Sequence, residues 1–288
     1  RTAELQMVGA GAPEVVRAGF TTAPLFDVLG VRAGMHPKRV RRLLAQPRHD
    51  FVERQDGTFA YLTLDYRDNL DVEGSIVNVV SDTVLETAEG VDPAVTPPVE
   101  VFSQFDDSGQ ELYWTCSHME ADFDGQPYHQ WSHANSMMPD PVNPDEFYWL
   151  NYRYQDAMVK ISRSSHAIVW EIGGRYDDSD LLLEEAFDHG HISHIWPGGF
   201  LMFDNNSHGG DGPSRVRQYA YDEATKHVSL VDQWDGIEYT PGMADARLTD
   251  VGTVLVNYAG DQLVQERTAD DEVVWELQFG STGPARLT

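Results

Sequence analysis

The stretch Phe187-Asp188-His189-Gly190-His191-Ile192-Ser193-His194-Ile195-Trp196-Pro197-Gly198-Gly199-Phe200-Leu201-Met202-Phe203-Asp204-Asn205-Asn206 decides how the chain is read. It holds His189, His191 and His194, then a Pro-Gly-Gly turn, then an apolar strand that ends in Asp-Asn-Asn. Histidines just ahead of a strand pair are an odd choice for a core. They suit a site where imidazoles converge on a ligand.

The phrase recurs. His191 lies eight residues before Gly199, His49 eight before Gly57, and Ala244 eight before Gly252. A fourth copy, with a longer turn, joins His133-Ala134-Asn135-Ser136-Met137-Met138 to Phe147-Tyr148-Trp149-Leu150. Each copy reads as short strand, turn, apolar strand. A unit that repeats at tens of residues signals a repeat fold. Three of the four copies begin with histidine, so a radial repeat would aim those side chains at one axis.

Further strands follow each phrase. After His49 come Phe59 to Asp65, Ser75 to Val80, Asp82 to Glu86 and Val99 to Phe105. After Trp131 come Phe147 to Tyr152, Ala157 to Ile161 and Ala167 to Ile172. After His191 come Phe200 to Phe203, Ser214 to Ala220 and Val228 to Trp234. After Met243 come Thr253 to Tyr258, Gln262 to Thr268 and Val273 to Phe279. The outer strands echo one another in Ile168-Val169-Trp170-Glu171-Ile172 and Val273-Val274-Trp275-Glu276-Leu277. Four strands per unit is the blade pattern of a β-propeller. The predicted fold is therefore all-β, a propeller of four-stranded blades with four clear blades between His49 and Phe279. A sandwich or jelly roll would not explain the fixed His-to-Gly spacing. Long helices are almost absent, and Leu181 to Phe187 is the one short candidate.

Ahead of the propeller, Glu4 to Val8 and Glu14 to Thr22 read as two strands. Ala18-Gly19-Phe20-Thr21-Thr22-Ala23-Pro24 resembles the last strand of a small β-sandwich preceding an extracellular catalytic domain. The expected division is the end of a sandwich module over 1–24, a connector over 25–48 and a propeller over 49–288.

Composition sets the bounds. Net charge is −27, with 47 acidic against 20 basic residues, which argues against a nucleic-acid partner because phosphates would be repelled. The first 48 residues run against this trend, and Pro37-Lys38-Arg39-Val40-Arg41-Arg42 is basic. No apolar run approaches the ~20 residues that span a bilayer as a helix. The single cysteine, Cys116, excludes an internal disulfide and a thiolate metal cage. Its context, Tyr113-Trp114-Thr115-Cys116, reads as a strand with a buried, inert thiol.

With these phrases placed, the chain resembles the bacterial arylsulfotransferase family, which works without a nucleotide sulfate donor. The resemblance covers about residues 49–279 and rests on several ordered anchors. They are His49-Asp50-Phe51, Trp131-Ser132-His133-Ala134-Asn135-Ser136 and Asn151-Tyr152-Arg153, then Ile168-Val169-Trp170-Glu171-Ile172-Gly173-Gly174, His191 with Phe203-Asp204-Asn205, and Pro213-Ser214-Arg215. It implies a six-bladed propeller with its active site in the central channel, built from histidines and an arginine. It implies an aryl sulfate donor, a phenolic acceptor, no cofactor and a periplasmic or extracellular location. Carried over by motif, His191 is the expected nucleophile, and His49, His133 and Arg153 hold sulfate oxygens and move protons. The chain departs from the family at Ile192, where Asp is common, at Asn151-Tyr152-Arg153, where a serine-containing phrase is usual, and before His49, where it is too short for all the early blades.

The chemistry fits those residue types. In-line attack on a sulfate ester needs a neutral nucleophile near pH 7, and imidazole qualifies. A guanidinium offers a fixed fork of donors to sulfuryl oxygens. Asp50 would orient His49 or raise its pKa. Two other readings stay open: a metal-dependent lyase or hydrolase with His49, His133 and His191 as ligands, and a non-catalytic ligand-binding propeller. His189 and His194 are rival nucleophiles. Asn135, Asp204 and Asn205 read first as turn formers, and Trp131, Tyr152 and Tyr154 suit core packing and a substrate wall equally.

Overall fold

The computed structural model describes residues 2–8, 14–19, 50–54, 56–88, 96–116, 119–121, 126–208, 212–235, 239–242, 244–258 and 262–279. His49, the expected connector over 25–48 and the basic cluster Pro37 to Arg42 lie outside them.

Four sheets follow one another along the chain, each beginning at the strand predicted to be innermost. Strands β1 (Thr2–Val8) and β2 (Glu14–Gly19) come first in sequence. The first blade is β3 (Phe51–Glu53), β4 (Thr58–Val72), β5 (Ser75–Ala88) and β6 (Val99–Ser103). Short strands β7 (Met119–Ala121) and β8 (Pro127–Gln130) extend it, β8 pairing parallel to β5. The second blade is β9 (Ala134–Pro139), β10 (Phe147–Tyr152), β11 (Ala157–Ser162) and β12 (Ala167–Gly173). The third is β13 (His191–Trp196), β14 (Gly199–Asp204), β15 (Arg215–Asp222) and β16 (His227–Asp235). The fourth is β17 (Ala244–Leu248), β18 (Val254–Tyr258), β19 (Leu263–Arg267) and β20 (Val273–Phe279). Strand β1 pairs antiparallel with β20 and β2 with β1, so residues 2–19 extend the outer edge of the fourth sheet.

The fold is an all-β propeller. The inner strands β3, β9, β13 and β17 lie side by side in that order, and each gap between blades is filled by its own apolar cluster. Leu62, Val84 and Phe102 of the first blade pack on Met137, Tyr148 and Leu150 of the second. Trp149, Trp170 and Ile172 of the second pack on Phe200, Met202 and Tyr219 of the third. Leu201, Phe203 and Trp234 pack on Ala246, Val254 and Val256 of the fourth. Apolar burial at roughly 25 cal/mol per Å² makes these between-blade layers the main stabilising term.

Polar clasps cross the same gaps. Glu86 on β5 accepts hydrogen bonds from Tyr148 (2.6 Å) and from Arg163 Nε (2.7 Å) and Nη2 (2.6 Å), reaching into the second blade. Lys160 on β11 pairs with buried Asp140 at 2.7 Å and with Glu223 beyond β15 at 2.7 Å.

The repeated glycines mark one structural position in two blades. Gly57 (φ 79°) and Gly252 (φ 84°) close equivalent hairpin turns, Gly57 N donating to Arg54 O and Gly252 N to Thr249 O, both at 3.1 Å. In the third blade the turn is one residue shorter. Trp196 pairs with Gly199, so Gly198 takes the left-handed place (φ 81°) behind Pro197, and Gly199 starts the strand.

Several local expectations are corrected. Ser75 to Val80 and Asp82 to Glu86 are one strand, β5. The two join at Ser81-Asp82, whose side chains are both buried and hydrogen-bonded: the Ser81 and Ser132 hydroxyls lie 2.6 Å apart, and Asp82 Oδ2 accepts from Ser132 Oγ and Ala134 N, each at 2.6 Å. The helix candidate over Leu181 to Phe187 is only a 3-10 turn at Leu183–Glu185. Cys116 lies in no strand and is exposed.

Asp82 thus fixes the two residues on either side of His133. Replacing it by alanine leaves buried donors without an acceptor. Asp82→Ala should therefore lower unfolding stability by about 2–3 kcal/mol, read from urea melts; a loss under about 0.5 kcal/mol would show the anchor to be dispensable.

Candidate functional site

The site forms where inner strands begin and their neighbours end. His133 immediately precedes β9, and β10 ends at Tyr152 opposite Ala134, so Arg153 leaves the sheet beside His133. Its backbone N donates to His133 O at 3.1 Å. In the third blade His191 opens β13 opposite Phe203, so Asn205 emerges next to it. Antiparallel pairing thus delivers four polar residues to one end of the propeller.

Arg153 is at the centre. Its Nη1 lies 3.4 Å from His191 Nε2 and donates to Asn205 Oδ1 (2.8 Å) and His189 O (3.3 Å), while Nη2 donates to Pro241 O. Burial lowers its pKa from the usual arginine value. Among the described residues it makes no ion pair; Tyr154, Cys116, Tyr239 and Asp156 act on it only at longer range. The guanidinium is thus held by two backbone carbonyls and an amide oxygen rather than by a carboxylate.

The peptide ahead of His191 is clamped. Gly190 O accepts from Asn135 Nδ2 at 3.0 Å and from Asn151 Nδ2. Gly190 has no Cβ because one would sit 2.5 Å from Met202 Sδ. Asn135 is therefore a clamp across two blades, not a local turn former. Asn205 is likewise a partner of Arg153, and its own Nδ2 donates to Thr240 O at 2.6 Å. Asp204 is a buried hub for Arg215 (2.7 Å) and Arg217 (3.4 Å), one residue from the site; burial raises its pKa against the pull of those arginines.

The other candidates separate. Trp131 and Tyr152 are core, the first stacked on Phe105 at 6.0 Å, the second fully buried. Tyr154 is at the site, its ring 4.8 Å from His133 and 5.7 Å from His189. His189 is buried behind Arg153, with Cys116 Sγ 3.0 Å from its Nε2. His194 is elsewhere: it lines a cavity with Asp50, Met137 and Arg247, and burial lowers its pKa. Asp50 Oδ2 accepts from Met137 N at 3.0 Å, anchoring the strand that His49 precedes. His133, Arg153 and His191 are thus gathered at one end, and His49 lies outside the described residues.

Sequence reasoning missed a second group next to Arg153: Asp156, Asp188, His189 and His208. Asp156 and His189 are both left-handed without being glycine (φ 51° and 52°), a costly backbone state concentrated at functional places. Burial raises the Asp156 carboxyl. Burial also pushes Asp188 up, but the His189 side chain, the His208 backbone N–H and both imidazoles outweigh it and leave Asp188 below its ordinary value. Desolvation pushes the Cys116 thiol up to about 12, so it stays protonated.

The sequence pattern of the arylsulfotransferase (ASST) family matches residues 22–283. The chain belongs to that family. Membership supports arylsulfotransferase-like activity in general, on aryl sulfates and phenols. No curated protein matches the chain. Among solved structures it is similar to the periplasmic gluconolactonase PpgL of Pseudomonas aeruginosa, with 10% identity over 98% of this chain and 100% of the other and a TM-score of 0.35. It is also similar to a putative 6-phosphogluconolactonase of Bacteroides fragilis, with 9% identity over 97% of this chain and 98% of the other and a TM-score of 0.33.

Behind the site wall, Glu171 on β12 is buried and its carboxyl is raised to about 7, chiefly by desolvation. Tyr176 N (3.3 Å) and Gln110 Nε2 donate to it, and these contacts only partly offset burial. A carboxyl raised on folding contributes stability that is complete below its unfolded pKa near 4.5 and lost as pH rises through about 7. Glu171→Gln mimics the protonated acid. The variant should match the parent at pH 4.5 and exceed it at pH 8.5 by up to about 3 kcal/mol, measured by urea unfolding; equal stability at both pH values would refute the buried-acid assignment.

Proposed function

We propose that this protein transfers a sulfuryl group from an aryl sulfate ester to a phenol through a covalent adduct on His191. The observation that carries this reading is the 3.4 Å approach of Arg153 Nη1 to His191 Nε2, in a half-buried setting where the guanidinium makes no ion pair among the described residues. A sulfate oxygen held by Arg153 would leave its sulfur facing the imidazole.

In the first half-reaction His191 Nε2 attacks sulfur. The N–S bond forms, the S–O bond to the aryl group breaks, and the departing phenolate takes a proton from a protonated imidazole. His133, set edge to face with Tyr154, is the described group suited to supply it. In the second half the acceptor phenol gives its proton back to that imidazole while its oxygen attacks sulfur and the N–S bond breaks. Charge on the sulfuryl oxygens in between is met by Arg153. Asn135 and Asn151 act by fixing the Gly190 carbonyl and so the start of β13. Tyr154 offers an aromatic wall for an aryl ring. His49 would complete the set from the start of the first blade. A periplasmic or extracellular location fits this reading and follows from the family.

Incubation with 4-nitrophenyl sulfate should add about 80 Da to the peptide carrying His191, as covalent catalysis requires, and His191→Ala should lower turnover at least about 10³-fold. Turnover retained in that variant removes the nucleophile assignment. Arg153→Lys should lower kcat/KM by about 10² to 10³, because a point charge cannot replace a guanidinium fork aimed at the transferring group; a rate within a few-fold of the parent rules that role out.

A further inference from the structure

We propose that Asp156, Asp188, His189 and His208 bind one divalent metal ion, of the borderline class that takes mixed imidazole and carboxylate ligands, directly behind Arg153. The inference does not depend on the transfer chemistry.

The donors converge as a coordination shell does. Asp188 Oδ1 lies 2.7 Å from His189 Nδ1 and 3.2 Å from His208 Nδ1. Asp156 Oδ1 lies 3.6 Å from His189 Nδ1, and Asp156 Oδ2 lies 3.5 Å from His208 Nδ1. One ligand atom from each of the four residues fits within 4.8 Å of all the others. Around an ion with bonds of 2.0–2.1 Å, tetrahedral donors stand about 3.3–3.4 Å apart. The observed spacings bracket that value. Both imidazoles present the same nitrogen, Nδ1, to the two carboxylates, while their rings meet edge to face at 4.4 Å.

The surroundings have the form that metal sites use to hold their ligands. The remote nitrogen of His189, Nε2, points at Cys116 Sγ 3.0 Å away. That contact holds the ring from its far side, as the outer partners of metal-bound histidines do. Asp156 Oδ1 also accepts from His189 N at 2.6 Å, and Asp188 Oδ2 from the His208 N–H, so backbone donors orient both carboxylates. Two carboxylates and two neutral imidazoles carry a net charge of −2, which a divalent cation cancels. Four protein donors make a closed, structural site. Its consequence lies one residue away, because the His189 carbonyl accepts from Arg153 Nη1. An ion that locks residues 188–189 also locks one of the acceptors that aim the guanidinium.

The test uses the full chain purified without a metal-affinity tag, stripped with chelator and titrated with Zn²⁺ and with Co²⁺. The expected result is one ion per chain, a rise in melting temperature on loading, and the visible bands of tetrahedral cobalt without sulfur-to-cobalt charge transfer. His208→Ala, an exposed position with little burden on the fold, and Asp188→Asn should each weaken binding by at least about tenfold and abolish the melting shift. Binding that persists unchanged in His208→Ala overturns the proposal, as does the absence of any saturable site. A sulfur-to-cobalt band overturns this ligand set in favour of Cys116. Melting of the unloaded variants separates a folding defect from a lost ligand.

Discussion

The guanidinium of Arg153 is the contact around which one end of the propeller is arranged. It follows the second blade, donates to His189 and Asn205 of the third, and reaches Pro241 on the approach to the fourth. Arg153 is half-buried, and a cation partly removed from water needs acceptors for its donors. Here backbone carbonyls and an amide supply the acceptors. Those acceptors are neutral, so no carboxylate in contact cancels the charge.

The blades make that arrangement possible. Each between-blade gap is filled by large apolar side chains, and the crossing contacts of Glu86 and Lys160 fix how one sheet sits on the next. Three of the four hairpins that follow the inner strands close through left-handed glycines, Gly57, Gly198 and Gly252. Residues just before an inner strand and just after its neighbour then share one end of the propeller. His133 and Arg153 are such a pair in the second blade, and His191 and Asn205 in the third. The site is a product of register as much as of side-chain identity.

Behind this first layer lies a second. The clamp of Asn135 and Asn151 on Gly190, the buried hub at Asp204 and the Asp-His group around His189 all bear on the two short segments that present His191 and Asn205. Asn135 and Asp204 read in sequence as ordinary turn formers. Asn, Asp and His at strand ends hydrogen-bond their own backbone in so many loops that nothing local distinguishes those whose partners lie in another blade.

The sequence by itself determined the order of the strands and the four-blade repeat, because periodicity and turn glycines are local along the chain, and ordered motifs brought His133, Arg153 and His191 forward as candidates. It misjudged what depends on distant partners. It divided β5 into two strands, whereas the partners that hold Ser81 and Asp82 within one strand, Ser132 and Ala134, lie about fifty residues away. Cys116 looked like a core thiol because its neighbours are aromatic, whereas its contact is His189. His208 carried no motif at all, and only the folding of its loop against Asp156 and Asp188 brought it into a group. Tertiary structure decided which imidazoles share a site, since a propeller converts separations of tens of residues into contacts of a few ångströms.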